Sequence, residues 1–96
     1  MIELDPVIHE EARLLIMALL SRLKEADFLF LLRETGLTKG NLFTHLAKLE
    51  SSGYISIEKG FRGKKTFTVV RLTPQGRKSF RKYRKSLDVL LSVPDD

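Results

Sequence analysis

Three residues, Gly36, Leu37 and Thr38, are all that separate one helical pattern from the next. So short a link holds two helix ends together and forces the helices to cross rather than stack, a helix-turn-helix arrangement. Before the turn, Asp27 is a good N-cap for FLFLLRET, and Phe28 to Leu32 are apolar around most of a helical circumference. That short helix is expected to be buried on several sides. After the turn, Leu42, Leu46 and Leu49 recur at intervals of four and three, one stripe of a helix from Thr38 to about Ser52. Thr38 supplies the N-cap oxygen, and Gly53 supplies the left-handed residue that ends the helix.

The face opposite that stripe holds Gly40, Asn41, Thr44, Ala47, Lys48 and Ser51, with Lys39 and His45 at its margins, and no acid precedes Glu50. A solvated helix face ordinarily mixes long side chains of both signs. Small residues without acids let a helix approach another surface closely, and let it approach a polyanion without repulsion. The helix is therefore the candidate for insertion into a DNA groove; the plain alternative is a surface helix that happens to lack acids. Phe43, at the edge of the apolar stripe, is expected to pack beneath the helix.

Charge along the chain points the same way. Residues 1–50 hold six Lys/Arg against eight Asp/Glu, a net of −2; residues 51–96 hold eleven against four, a net of +7. All eleven later cations fall between Lys59 and Lys85, where there is no acid. A one-sided distribution of this kind suits a surface that meets a polyanion, although a solvated helix face also produces one.

The flanking segments complete the architecture. Asp5 and Pro6 read as cap and first turn of a helix from about Val7 to Leu23, with apolar residues on more than one face. Lys24 to Ala26 read as a short connection. After Gly53 the period changes to two: YISIEKG and TFTVVRL read as strands around GFRGKK, residues 60–65, a glycine-containing loop that carries Arg62, Gly63, Lys64 and Lys65. Phe61 is expected to pack back across this hairpin; the alternative is a wedge for the minor groove. Thr73 and Pro74 open a last helix over residues 73–91, in which Phe80, Tyr83, Leu87 and Leu90 form one stripe among six cations. The surplus apolar surface of the first and last helices predicts a homodimer built from Leu15, Leu19, Phe80, Tyr83, Leu87 and Leu90. Residues 92–96 are expected to fray.

Ninety-six residues fit one domain, 1–96, mainly α with a two-stranded β-wing in the order ααα-β-wing-β-α. Cysteine is absent, which excludes disulfides and thiolate metal sites. His9 has no partner at ligand spacing, so no metal and no cofactor are expected. The longest apolar run, Leu14 to Leu20, is too short to span a bilayer, and no secretory signal pattern opens the chain, so no membrane partner and a cytoplasmic, nucleoid-associated location are expected. Catalysis is not expected: Ser51, Ser52 and His45 are neighbours in sequence, but no GxSxG elbow and no carboxylate pair accompany them.

In order and spacing, Gly40-Asn41-Leu42, His45-Leu46, Leu49-Glu50, Gly53-Tyr54-Ile55, the wing from Lys59 to Thr66, and Leu72-Thr73-Pro74 with Gly76-Arg77 resemble the small winged-helix regulators of the MarR-like and ArsR-like kind. The resemblance spans roughly Ile8 to Leu91. It implies that helix 38–52 enters the major groove, that wing 60–65 lies on the backbone or minor groove, and that the terminal helices form a twofold dimer. The function it implies is a sequence-specific double-stranded DNA-binding transcriptional regulator, a homodimeric repressor of a palindromic site. Lys39, Gly40, Asn41, Thr44, His45 and Lys48 would then form the DNA-binding set of the helix. Phe43 departs from the small Ser of many relatives, and no effector pocket is evident. The alternatives are a winged-helix protein-interaction module and a non-specific nucleic-acid-binding protein.

Overall fold

The computed structural model describes residues 2–94. Its elements are α1 (Glu11–Leu23), β1 (Glu25–Asp27), α2 (Phe28–Thr35), α3 (Lys39–Ser51), β2 (Ile55–Arg62), β3 (Lys65–Leu72) and α4 (Pro74–Leu91). Among the expected frayed residues, Asp95 and Asp96 lie outside the described range.

The first helix starts later than its apolar pattern suggests. Asp5 does cap a turn, its Oδ1 accepting from Val7 N at 2.9 Å and its carbonyl from His9 N at 2.7 Å. The chain then bends, and α1 begins afresh behind Glu10, whose carboxylate accepts from Arg13 N at 2.8 Å. Ile8, in the intervening turn, is fully buried. Leu15 and Leu23 stay exposed, while Ala12, Ile16, Met17 and Leu20 enter the core.

The expected connection at Lys24 to Ala26 is corrected to a strand. Lys24 adopts a left-handed φ of 72° that ends α1 without a glycine, and β1 follows at once. It pairs antiparallel with β3, Glu25 opposite Arg71 and Asp27 opposite Val69, so the two-stranded wing is part of a three-stranded sheet ordered β1-β3-β2. Three residues, two of them acidic, carry no strand propensity; the open backbone groups along β3 decide their conformation.

The short second helix is also corrected. Of its five apolar residues only Leu31 is buried; Phe28, Phe30 and Leu32 are half-buried and Leu29 is 67% exposed. A domain of this size has too few elements to enclose every helix.

The third helix matches its expected capping. Thr38 Oγ1 accepts from Asn41 N at 3.1 Å. At the other end Gly53, at φ +81°, completes a Schellman motif: Tyr54 N donates to Leu49 O at 3.0 Å and Gly53 N to Glu50 O at 2.9 Å. Leu42, Leu46 and Leu49 are buried against Ile8, Ile16, Leu20, Ile55 and Val70.

In α4, Thr73 caps with Gly76 N at 2.9 Å and also donates to Gly53 O at 2.6 Å, which ties the end of α3 to the start of α4. Gly76 lies so close to the Tyr54 carbonyl that a Cβ there would be 2.0 Å from its oxygen. Phe80 and Tyr83 enter the core at 7% and 2% exposure, whereas Val89, Leu90 and Leu91 are exposed.

Candidate nucleic-acid interface

Buried leucines hold α3 by one stripe, and the other side is left to solvent. Lys39, Gly40, Asn41, Thr44, Ala47, Lys48 and Ser51 are all exposed, as the spacing requires. Several polar groups on this face bond only to their own helix: Thr44 Oγ1 donates to Gly40 O at 3.0 Å and Ser51 Oγ to Lys48 O at 3.0 Å. A Cβ on Gly40 would meet nothing within 4 Å, so the first turn presents open backbone. Among the described residues, ion pairs form between Glu10, Arg13 and His45 and between Arg71, Glu25 and Glu58; the lysines of α3 and of the wing take no part.

His45 sits apart from that face. Its side chain is 20% exposed and turned toward α1, with Nδ1 at 3.2 Å from Arg13 Nη1 and 3.6 Å from Glu10 Oε1. Burial alone would raise the Glu10 carboxyl; the Arg13 and Ala12 N–H groups, and then the His45 and Arg13 charges, outweigh it and hold it below its ordinary value. The cluster joins α3 to the start of α1. Next to it, His9 Nδ1 contacts the Tyr83 hydroxyl at 2.8 Å, and the Tyr54 hydroxyl donates to Asp5. Burial and then that bond to Asp5 push the Tyr54 phenol up, against a smaller opposing effect from Ser79, so it remains a donor.

The wing is more regular than a six-residue loop. The ladder runs to Arg62 opposite Lys65, leaving only Gly63 and Lys64 as the turn, with Gly63 at φ +64°. Strand alternation then sorts its side chains. Ile55, Ile57, Lys59 and Phe61 share the inner face with Val70, Thr68 and Thr66, while Gly60, Arg62, Lys65 and Phe67 share the outer one. On the outer face the Arg62 guanidinium covers the Phe67 ring at 4.7 Å, and that ring fills the space a Cβ on Gly60 would need.

Two aromatic placements depart from expectation. Phe43 does not pack beneath α3: it is 49% exposed and stacks on Phe28 at 4.6 Å between centroids, with Lys59 Nζ 5.9 Å from its ring. Lys59, which the sequence marked as the start of the basic run and of the wing, thereby links the wing's inner face to α3. Phe61 does not pack across the hairpin either; it is 75% exposed, because Phe67 on the other face has taken the position over Gly60.

An acid-free helix face thus stands beside a cationic two-stranded wing, and the family of winged helix DNA-binding domains matches residues 12–91. The chain belongs to that family. This winged-helix domain is 34% identical over 77 residues to an uncharacterised protein of Methanocaldococcus jannaschii, covering 80% of this chain and 84% of that one. It is similar to the structure of a transcriptional regulator homologue from Pyrococcus horikoshii OT3, with a TM-score of 0.84 at 28% identity, covering 88% of this chain and 84% of that one. It also shares its fold with the overoxidised AbfR bound to DNA, with a TM-score of 0.74 at 20% identity, covering 84% of this chain and 58% of that longer one. The fold is that of DNA-binding transcriptional regulators, AbfR being one of the MarR family. No helix among the described residues is long and apolar enough to cross a membrane.

The residues set aside for dimerisation divide. Phe80 and Tyr83 are inside this winged-helix domain's own core, a correction to their expected place at an interface, since a side chain spent internally offers no surface to a copy. Leu19 and Leu87 are half-buried against the core, and Leu15 and Leu90 are 40% and 50% exposed.

Proposed function

We propose that this winged-helix regulator is a sequence-specific repressor that binds double-stranded DNA as a homodimer on a palindromic site and acts from the cytoplasmic nucleoid. The observation that carries the reading is the exposed, acid-free face of α3 beside a wing whose lysines have no acidic partner among the described residues. Asn41, Thr44 and Lys48, with Lys39 and the open backbone at Gly40, meet base edges and nearby phosphates in the major groove. Asn pairs with adenine and Lys with guanine, each good bidentate contact contributing roughly 1–3 kcal/mol of discrimination. His45, turned to Arg13 and Glu10, acts as the strut that sets the angle of α3. Arg62, Gly63, Lys64 and Lys65 follow the backbone, each neutralised phosphate adding about −0.9 to the slope of log affinity against log salt. Exposed Leu15, Leu90 and Leu91, with Leu87, supply the apolar surface for a twofold partner.

Selection of bound duplexes from fragmented genomic DNA, then footprinting, tests this. A protected palindrome with half-sites about one helical turn apart, roughly 34 Å, is the expected result. Asn41→Ala should relax base preference with little change in salt slope. Lys64→Ala should weaken all sequences alike and flatten the slope by about one contact. The reverse pattern would overturn the assignment of helix to bases and wing to phosphates. The exposed cations of α4 favour a second reading, sequence-neutral nucleic-acid binding, in which random duplex competes as well as any selected site.

A further inference from the structure

We infer that Phe61 is an apolar wedge that enters the minor groove and partly unstacks a base step, so that the protein bends the DNA it binds. The inference rests on the DNA-binding reading above and adds to it a mechanical action and a preference for deformable sequence.

Phe61 is 75% exposed, an unusual position for a phenyl ring that has an aromatic residue on the neighbouring strand. Strand register explains why the two rings do not meet. Gly60 pairs with Phe67 on the outer face, where the Phe67 ring lies over Gly60 and beneath Arg62. Phe61 pairs with Thr66 on the inner face, beyond buried Ile55 and half-buried Ile57. That inner face is the side on which α3 lies, because Lys59, two residues earlier on the same face, reaches Phe43 of α3. Phe61 therefore projects from the far end of the wing on the side where a duplex held by α3 would run.

Charge identifies the occupant. Lys59 shares the face of the ring, Lys64 stands in the turn beyond it, and Arg62 and Lys65 lie on the other face of the same hairpin tip; no acid lies between Lys59 and Lys85. An apolar pocket on another protein, or on a second copy of this chain, would have to accept this cluster of cations with the ring. A minor groove accepts both: its phosphates take the cations, and a base step takes the ring. Proteins that insert apolar side chains between base steps kink the duplex by roughly 20–90°, and the unstacking cost is offset by the additional surface the bend brings into contact. Pyrimidine–purine steps such as TA and CA/TG yield most easily.

The test uses the full chain and duplexes of about thirty base pairs, end-labelled for energy transfer, with 2-aminopurine beside a TA step or within a stiff A-tract. The wild-type chain should raise the 2-aminopurine signal and shorten the end-to-end distance at the TA step, and do neither at the A-tract. Phe61→Ala should abolish both signals and bind the TA duplex about tenfold more weakly. Its salt slope should not change, because no phosphate contact is removed. Phe61→Leu should keep most of the bend. Unchanged bending by Phe61→Ala overturns the wedge, as does an altered sedimentation coefficient of the free variant, which would make the ring a self-association contact. The wider reading fails differently: a wild-type chain that retains no duplex refutes DNA binding, whereas one that binds and bends equally well without the ring refutes only the wedge. Because the ring is exposed, thermal unfolding of Phe61→Ala should match the wild type and exclude misfolding.

Discussion

Gly40 and Gly76 both lie in helices, and alanine at each should move stability in opposite directions. At Gly40 there is open space around the added methyl group, so Gly40→Ala should gain up to about 1 kcal/mol from helix propensity. At Gly76 the methyl would stand 2.0 Å from the Tyr54 carbonyl oxygen and 2.9 Å from Leu72 Cδ1. One of those atoms is backbone and cannot swing aside. Gly76→Ala should therefore cost about 3 kcal/mol as α4 is pushed off the end of α3. Urea midpoints of the two variants check this; a stable Gly76→Ala would mean that α4 docks elsewhere. Gly76 was legible in the sequence only as one residue of a resemblance, because the carbonyl that excludes a side chain belongs to Tyr54, twenty-two positions earlier.

Caps set the boundaries of the elements, and three of the four N-caps were legible: Asp27, Thr38 and Thr73 each accept from an N–H three residues on. The fourth, Glu10, was not, since Asp5-Pro6 offered the stronger local signal and only the packing of Ile8 showed that the chain bends between them. A pH dependence follows from Glu10. Its carboxyl is held below the ordinary 4.5, so the stabilisation it provides to α1 is fully present above that value and is lost as pH falls through the lower folded value. The Arg13 guanidinium and the His45 imidazole are the groups that face it. Glu10→Gln should cost about 1 kcal/mol near neutral pH and little once the native carboxyl is protonated. Thermal melts of the two proteins should converge as pH falls below the ordinary 4.5 and through the lower folded value; curves that stay parallel across the whole acid range would show that the carboxylate has no part in the cap.

At the scale of the whole molecule, one apolar stripe divides between core and surface. Its first half, Phe80 and Tyr83, fills the monomer core, and its second half, with Leu90 and the neighbouring Leu91, reaches solvent. Substitutions in the two halves should separate folding from assembly. Leu90→Glu should leave the fold intact and convert a dimer to a monomer in sedimentation at micromolar concentration. Phe80→Ala should cost about 3–5 kcal/mol and lower the melting temperature whatever the oligomeric state. A wild-type monomer would refute the proposed homodimer, and a Leu90→Glu dimer would move its twofold contact away from α4.

Local chemistry was enough to specify α3, the β-hairpin of the wing and α4, because caps, period and turn glycines act within a few residues of the positions they control. It also placed the cations, since charge is a property of composition along the chain. Tertiary structure decided what depends on partners distant in sequence. β1 is a strand because β3 offers it a backbone edge. His45 leaves the outer face of α3 because Glu10 and Arg13 lie beside it. Phe43 stacks on Phe28 because α2 brings that ring beside it, and Phe61 is left exposed on the inner face because register gives Phe67 the other face of the hairpin. Period assigns a residue to a face; only the assembled fold determines whether that face has a neighbour.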